Sequence, residues 1–128
     1  MAEAWTRHGM HSDVLIPVPL YPSREAKRGY NQATLLAQAL GRQIGVPVAE
    51  RALSRVRNTV SQTRLKRPER KKNVEAAFVF TSNETLAGKC VTLVDDVATT
   101  GATLDACAVV LLAQGIESVS AFTLARAP

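Results

Sequence analysis

The chain reads as an α/β protein with a central, mostly parallel sheet and helices on both faces. Three observations predict it. Short apolar runs alternate with stretches of helical period, the pattern of strand-helix-strand crossovers. One run, within CVTLVDDVATTGAT at 90–103, gathers Val91, Leu93 and Val94 into the near-continuous apolar stretch expected of a strand buried on both faces. The length of 128 residues, 46% of them hydrophobic, suits one domain that buries roughly two-thirds of its unfolded surface, so residues 1–128 are expected to form a single domain.

In chain order, residues 13–18 are strand-like and end among Pro17, Pro19 and Pro22, which forbid extension as a central strand. Asn31 suits a helix cap, because Ala33, Leu36, Ala37, Leu40 and Ile44 then share one face and Gly45 supplies the stop. Residues 46–49 are a short strand. A basic loop follows, then residues 76–81 form a strand or hairpin arm. The next strand ends at Asp95. Leu104, Cys107, Ala108 and Leu111 make the buried stripe of a second helix closed by Gly115, and residues 117–124 supply the last strand. Neither an internal repeat nor a low-complexity segment interrupts this order.

The strand ending at Asp95 carries the chemistry. Ligands of open α/β sheets sit beyond the carboxyl ends of such strands, which puts Asp95 and Asp96 at a pocket mouth. Behind them come Val97, Ala98, Thr99, Thr100, Gly101, Ala102 and Thr103. Small side chains and a glycine let backbone N–H groups approach a phosphate closely, and the helix that follows presents its free N–H groups and dipole to an anion. Carboxylates accept hydrogen bonds from vicinal hydroxyls. The aspartates therefore suit a ribose and the loop its 5′-phosphate. A helix-capping acidic turn would need no ligand, but a cap uses one Asp or Thr, whereas this segment offers two Asp and three Thr around a glycine.

The string VTLVDDVATTGAT resembles the phosphoribosyl-pyrophosphate signature of type I phosphoribosyltransferases. PVPLYPSREAKRGYNQ at 17–32 and the pattern Arg55, Thr59, Gln62, Leu65, Arg70, Asn73, Phe78 are similar to the competence-protein, or ComF, branch. The resemblance implies a type I phosphoribosyltransferase-like fold in which Asp95 and Asp96 are catalytic and hold the ribose, with Mg²⁺ near them. Residues 97–103 would hold the 5′-phosphate, and Arg28 and Gly29, with Arg24, the pyrophosphate. A flexible loop bearing Arg55, Arg57, Gln62, Arg64 and Arg70 would close over it. The implied partners are phosphoribosyl pyrophosphate and a nucleobase-like acceptor in nucleotide metabolism. A non-catalytic ComF-like role is the alternative, with phosphoribosyl pyrophosphate or single-stranded DNA bound during DNA uptake. The branch commonly carries a cysteine-rich, zinc-ribbon-like segment, and these residues hold no such pattern.

Charge is unevenly placed. The net charge is +5, and residues 51–73 hold nine of the sixteen basic residues but only one of the eleven acidic ones, Glu69. With little apolar content and no period, the stretch reads as a loop, and residues 55–72 are expected to be weakly ordered without ligand. Polyphosphate and nucleic acid are its two ligand readings, a solvated loop the third. Arg24 and Lys27 likewise have a solvated reading.

Other features exclude classes. Cys90 and Cys107 form no CxxC pair, so neither a disulfide framework nor a zinc site is expected, and a reducing cytoplasm is the natural setting. No apolar run reaches the length of a membrane span, and MAEAWTRHGMHSD at the start lacks the apolar segment of a signal peptide. His8 and His11 lack metal-site neighbours and read as surface residues. The oligomeric state is not legible.

Overall fold

A computed structural model describes residues 11–19, 31–56, 77–82, 85–98 and 101–126. The elements are β1 (Val14–Pro17), α1 (Gln32–Ile44), β2 (Leu53–Arg55), β3 (Phe78–Phe80), β4 (Cys90–Ala98), α2 (Ala102–Leu112) and β5 (Ser118–Arg126). A three-stranded sheet has the order β1-β4-β5, and β2 and β3 form a separate pair. Both joins of the larger sheet are parallel, with Val14 opposite Val91 and Pro17 opposite Val94, and Cys90 opposite Ser118 through to Ala98 opposite Arg126.

Alternation along β1 and β4 divides the apolar side chains between two layers. Val14, Ile16, Val91 and Leu93 pack on one face with Phe78 of β3 and Ala106, Cys107 and Leu111 of α2. Leu15 and Val94 face the other way, onto Ala37 and Leu40 of α1 and Phe122 of β5. Helices thus cover both faces, as the sequence predicts. Leu15, Ile16, Leu40 and Leu111 are wholly buried, each worth roughly 1.5–3 kcal/mol of burial.

Helix α1 is bounded as expected. The Asn31 side chain accepts from the Ala33 N–H at 3.0 Å, and Gly45 takes the left-handed conformation at φ 73° while its N–H bonds the Gly41 carbonyl. Helix α2 fits its expected stripe less well. Cys107 and Leu111 are buried, but Ala106 replaces Ala108 as the third buried residue, and Val109 is 66% exposed. A helix apolar on nearly every side gives periodicity little to distinguish.

Three expectations are corrected. Residues 46–49 meet β1 through a single bridge, Leu15 to Val48, because Pro47 has no N–H to extend a ladder; its carbonyl accepts from Leu15 instead. The basic stretch does not begin as a loop, since Leu53–Arg55 pairs antiparallel with Phe78–Phe80 and the Val56 N–H prolongs that ladder to the Ala77 carbonyl at 2.7 Å. Finally, β4 does not stop at Asp95. It continues to Ala98 because β5 runs beside it throughout.

Candidate active site

The extension of β4 past Asp95 locates the site. β1 ends at Pro17, opposite Val94, and the next two residues of β4 are Asp95 and Asp96. Past that point, among the described residues, β4 has a strand partner on the β5 side only. The aspartates therefore stand beyond the carboxyl end of β1 while still held within β4. A cleft opens there, lined by Val18 and Pro19 after β1, Asn31, Gln32 and Ala33 at the start of α1, Arg55 at the end of β2, both aspartates, and Thr103 in the first turn of α2.

Local chemistry fixes each wall. Asn31 caps α1 and also donates from Nδ2 to the Val18 carbonyl at 3.2 Å, tying the end of β1 to the helix start. Arg55 lies directly opposite Phe78 in the antiparallel pair, with its guanidinium carbon 5.2 Å from the ring centroid. Gly101, at φ 81°, turns the chain from β4 into α2, a left-handed conformation that favours glycine. Its carbonyl accepts from the Asp105 N–H at 2.9 Å, so Thr103 lies in the turn whose N–H groups have no partner earlier in the helix.

The electrostatics centre on Asp95. Its carboxyl is raised from the ordinary 3.8 to about 7, first by burial and then by the side-chain hydrogen bond with Asp96; the Asp96 backbone N–H opposes the rise, and the charges of Asp96 and Arg55 push up and down respectively. The same cation is felt deeper in the core. There, burial pushes the Cys107 thiol up to about 12, the Arg55 charge opposing and the Asp95 charge reinforcing it. Oxygen donors of this kind suit a hard cation. Mg²⁺ is commonly held by one or two carboxylates together with substrate phosphates, and Asp95 and Asp96 fit that mode. No group of three or more His, Cys, Asp or Glu that could form a closed metal cage occurs among the described residues.

Of the residues singled out by sequence, Asp95, Asp96, Arg55 and Thr103 are brought together. Val97 and Ala98 belong to β4, Gly101 precedes α2, and Ala102 begins it. Thr99, Thr100, Arg24, Arg28, Gly29, Arg57, Gln62, Arg64 and Arg70 lie outside the described residues, as does most of the 55–72 segment expected to be weakly ordered. Arg55 differs from expectation. The sequence suggests a flexible loop, yet it is a strand residue, because Leu53 is buried as the hairpin's inward side chain and the pairing to Phe78 extends the ladder outward. The contributions of Val18, Pro19, Gln32 and Ala33 went unpredicted, although a parallel strand and helix meeting at one sheet end was the available signal.

Residues 26–128 match the phosphoribosyl transferase domain. The chain belongs to that family. This phosphoribosyl transferase domain is 40% identical over 116 residues to Competence protein F of Haemophilus influenzae, covering 90% of the chain and 51% of that relative. It is 36% identical over 114 residues to the DNA utilization protein YhgH of Salmonella typhi, covering 89% and 49%. The domain thus spans about half the length of the curated relatives it matches. Among solved structures it resembles a purine phosphoribosyltransferase from Pyrococcus horikoshii with a TM-score of 0.60, at 20% identity, over 98% of the chain and 66% of that structure. The expected fold and the resemblance to the competence-protein branch are both borne out. No helix among the described residues is long and apolar enough to cross a membrane.

Proposed function

We propose that this domain binds phosphoribosyl pyrophosphate with Mg²⁺ and transfers the phosphoribosyl group to a nitrogen acceptor, releasing pyrophosphate. The observation that carries the reading is the convergence of Asp95, Asp96, Arg55 and the first turn of α2 on one cleft at the end of β1. Family membership supports it.

In this reading the aspartates accept hydrogen bonds from the ribose hydroxyls, charge-assisted contacts worth roughly 1.5–3 kcal/mol each. Residues 97–103, which run from the end of β4 to the first turn of α2, would offer the 5′-phosphate backbone N–H groups. Mg²⁺ held at Asp95 and Asp96 would neutralise pyrophosphate charge. The anomeric carbon–oxygen bond breaks with its electron pair leaving on pyrophosphate, a bond forms from the acceptor nitrogen to that carbon, and the sugar is oxocarbenium-like between. The chain's task is to hold geometry and exclude water, which competes for the activated sugar. Arg24, Arg28 and Gly29 would meet the pyrophosphate, and Arg57, Gln62, Arg64 and Arg70 would cover it. The acceptor attacks through a ring-nitrogen lone pair, and its N–H proton leaves to solvent or to the departing pyrophosphate.

A second reading has a specific support of its own. The concentration of nine basic residues at 51–73 and likeness to a protein named for DNA utilization favour a non-catalytic domain that binds single-stranded DNA. Against it, the stretch contains no Phe, Tyr or Trp on which bases could stack. Both readings suit a cytoplasmic setting, where Cys90 and Cys107, free in the structure, would stay reduced.

Calorimetry with phosphoribosyl pyrophosphate and Mg²⁺ tests the proposal, followed by a pyrophosphate-release screen across nucleobases. Micromolar binding is the expected result. An absence of heat at millimolar ligand would end it.

A further inference from the structure

Five large apolar side chains are exposed among the described residues, and four of them, Val56, Val79, Val109 and Leu112, stand 38–66% open on one side of the molecule. Helix α2 and the β2-β3 pair lie side by side over the same face of the sheet, where Leu53, Phe78, Cys107 and Leu111 enter one core. Alternation turns the next strand residues outward. Ser54 and Val79 are opposite one another, and the Ser54 hydroxyl meets that of Thr81 at 3.2 Å on the same outer row. On α2, Asp105, Val109 and Leu112 recur at i, i+4 and i+7, a stripe turned away from the buried one, and all three are exposed. A helix apolar on nearly every side belongs in an interior, and an exposed apolar patch shared by two elements marks a docking surface.

Opposite charges stand at the two ends of this face. Asp105 lies in the first turn of α2, just after the cleft-lining Thr103. Arg51 precedes β2, at the end away from the cleft-lining Arg55, and its carbonyl accepts from the Thr81 hydroxyl at 2.6 Å. Both side chains are exposed, and neither makes an ion pair among the described residues.

We propose that this face docks a second copy of the chain, about a twofold axis that lies in the face, midway between Asp105 and Arg51 and across the line joining them. Asp105 of each copy then meets Arg51 of the other, with the valines and Leu112 between the two pairs. An unlike partner would have to supply both signs of charge at that spacing, whereas a second copy supplies them by symmetry. The face lies outside the cleft, so the pairing stands or falls separately from the phosphoribosyl-pyrophosphate reading.

Sedimentation equilibrium of the full chain across the micromolar range is the test, for wild type, V109S/L112S, R51D, D105R, the R51D/D105R double variant and L35S. Thermal unfolding of each variant separates folding from association. The wild type should pass from monomer to dimer with concentration. V109S/L112S should raise the dissociation constant about tenfold or more, because the apolar centre is lost. Each charge reversal should raise it about three- to tenfold, since the twofold repeats the pair, and R51D/D105R should recover most of that loss. Leu35 is exposed on α1, over the opposite face of the sheet, so L35S should associate like wild type. Should a charge-reversed variant fail to fold, V109S/L112S set against L35S decides. A wild type that stays monomeric at every concentration overturns the pairing and leaves the face to an unlike partner. So does association that V109S/L112S leaves unchanged or that L35S abolishes. Growth beyond a dimer, or a folded double variant no better than the single reversals, overturns the twofold arrangement.

Discussion

The backbone N–H of Asp96 donates to Oδ1 of Asp95 at 2.9 Å, so the peptide of the second cleft aspartate restrains the side chain of the first. The bond holds Asp95 in place at a position where burial opposes its charge. Free of ligand, the site therefore carries an electrostatic cost, which a bound hydroxyl or cation would relieve.

That cost has a pH signature. Folding raises the Asp95 pKa from 3.8 to about 7, so between those values the folded chain retains a proton that the unfolded chain has lost. The contribution to stability is full below pH 4 and declines as pH rises through 7. Asp95→Asn removes this titration. Urea unfolding of the ligand-free protein from pH 4 to 8 should show the wild type losing stability relative to the variant as pH rises. A difference independent of pH would refute the burial of this carboxyl.

Gly41, inside α1, is predicted to resist a change that would normally help a helix. Alanine is favoured over glycine in a helix interior by about 1 kcal/mol. Here, however, an added Cβ would lie 2.7 Å from the Val46 carbonyl oxygen and 2.9 Å from a Val48 methyl. The same approach lets residues 46–49 return beside β1, where Leu15 bridges Val48. Gly41→Ala should therefore be net destabilising, by up to about 2 kcal/mol once overpacking of about 1–3 kcal/mol is set against the propensity gain. Equal or higher stability in chemical denaturation would show that the contact yields easily.

Asn31 serves both the scaffold and the cleft. Asn31→Ala removes the cap to Ala33 and the donor to Val18, and should cost about 1–2 kcal/mol. Asn31→Asp keeps an acceptor for the cap but loses the donor and adds a third negative charge to the cleft. Its stability should fall less than that of Asn31→Ala, while its affinity for pyrophosphate falls more. Identical ranking of the two variants by both measurements would separate Asn31 from the ligand site.

The legible parts of this chain are those whose signals are local. Asn31 and Gly45 bound α1 because capping is written within a few residues, and the apolar run before Asp95 announces a buried strand. What could not be read depends on neighbours. β4 extends to Ala98 because β5 lies beside it, and no residue of β4 encodes the length of its partner. Arg55 looks like part of a solvated basic loop because its strand partner, Phe78, lies on the far side of that stretch. Helix α2 blurs for a different reason: with Leu104, Val109, Val110 and Leu112 spread around it, composition conceals which face is buried.

The decisive comparison between the two functional readings uses the carboxylates, which a sugar phosphate needs and DNA does not. Replacing Asp95 and Asp96 together by Asn preserves shape while weakening contacts to ribose hydroxyls and Mg²⁺. Affinity for phosphoribosyl pyrophosphate should fall by about 2–4 kcal/mol on charge-assisted magnitudes. Single-stranded DNA, repelled by the same carboxylates, should bind as well or better, and its salt slope should be unchanged because the number of phosphates neutralised is unchanged. Calorimetry of the double variant with phosphoribosyl pyrophosphate, paired with DNA titrations at two salt concentrations, measures both. Undiminished phosphoribosyl pyrophosphate binding would leave Asp95 and Asp96 as strand residues of β4 without a ligand role, and the basic residues of 51–73 with their DNA reading as the better account of the domain.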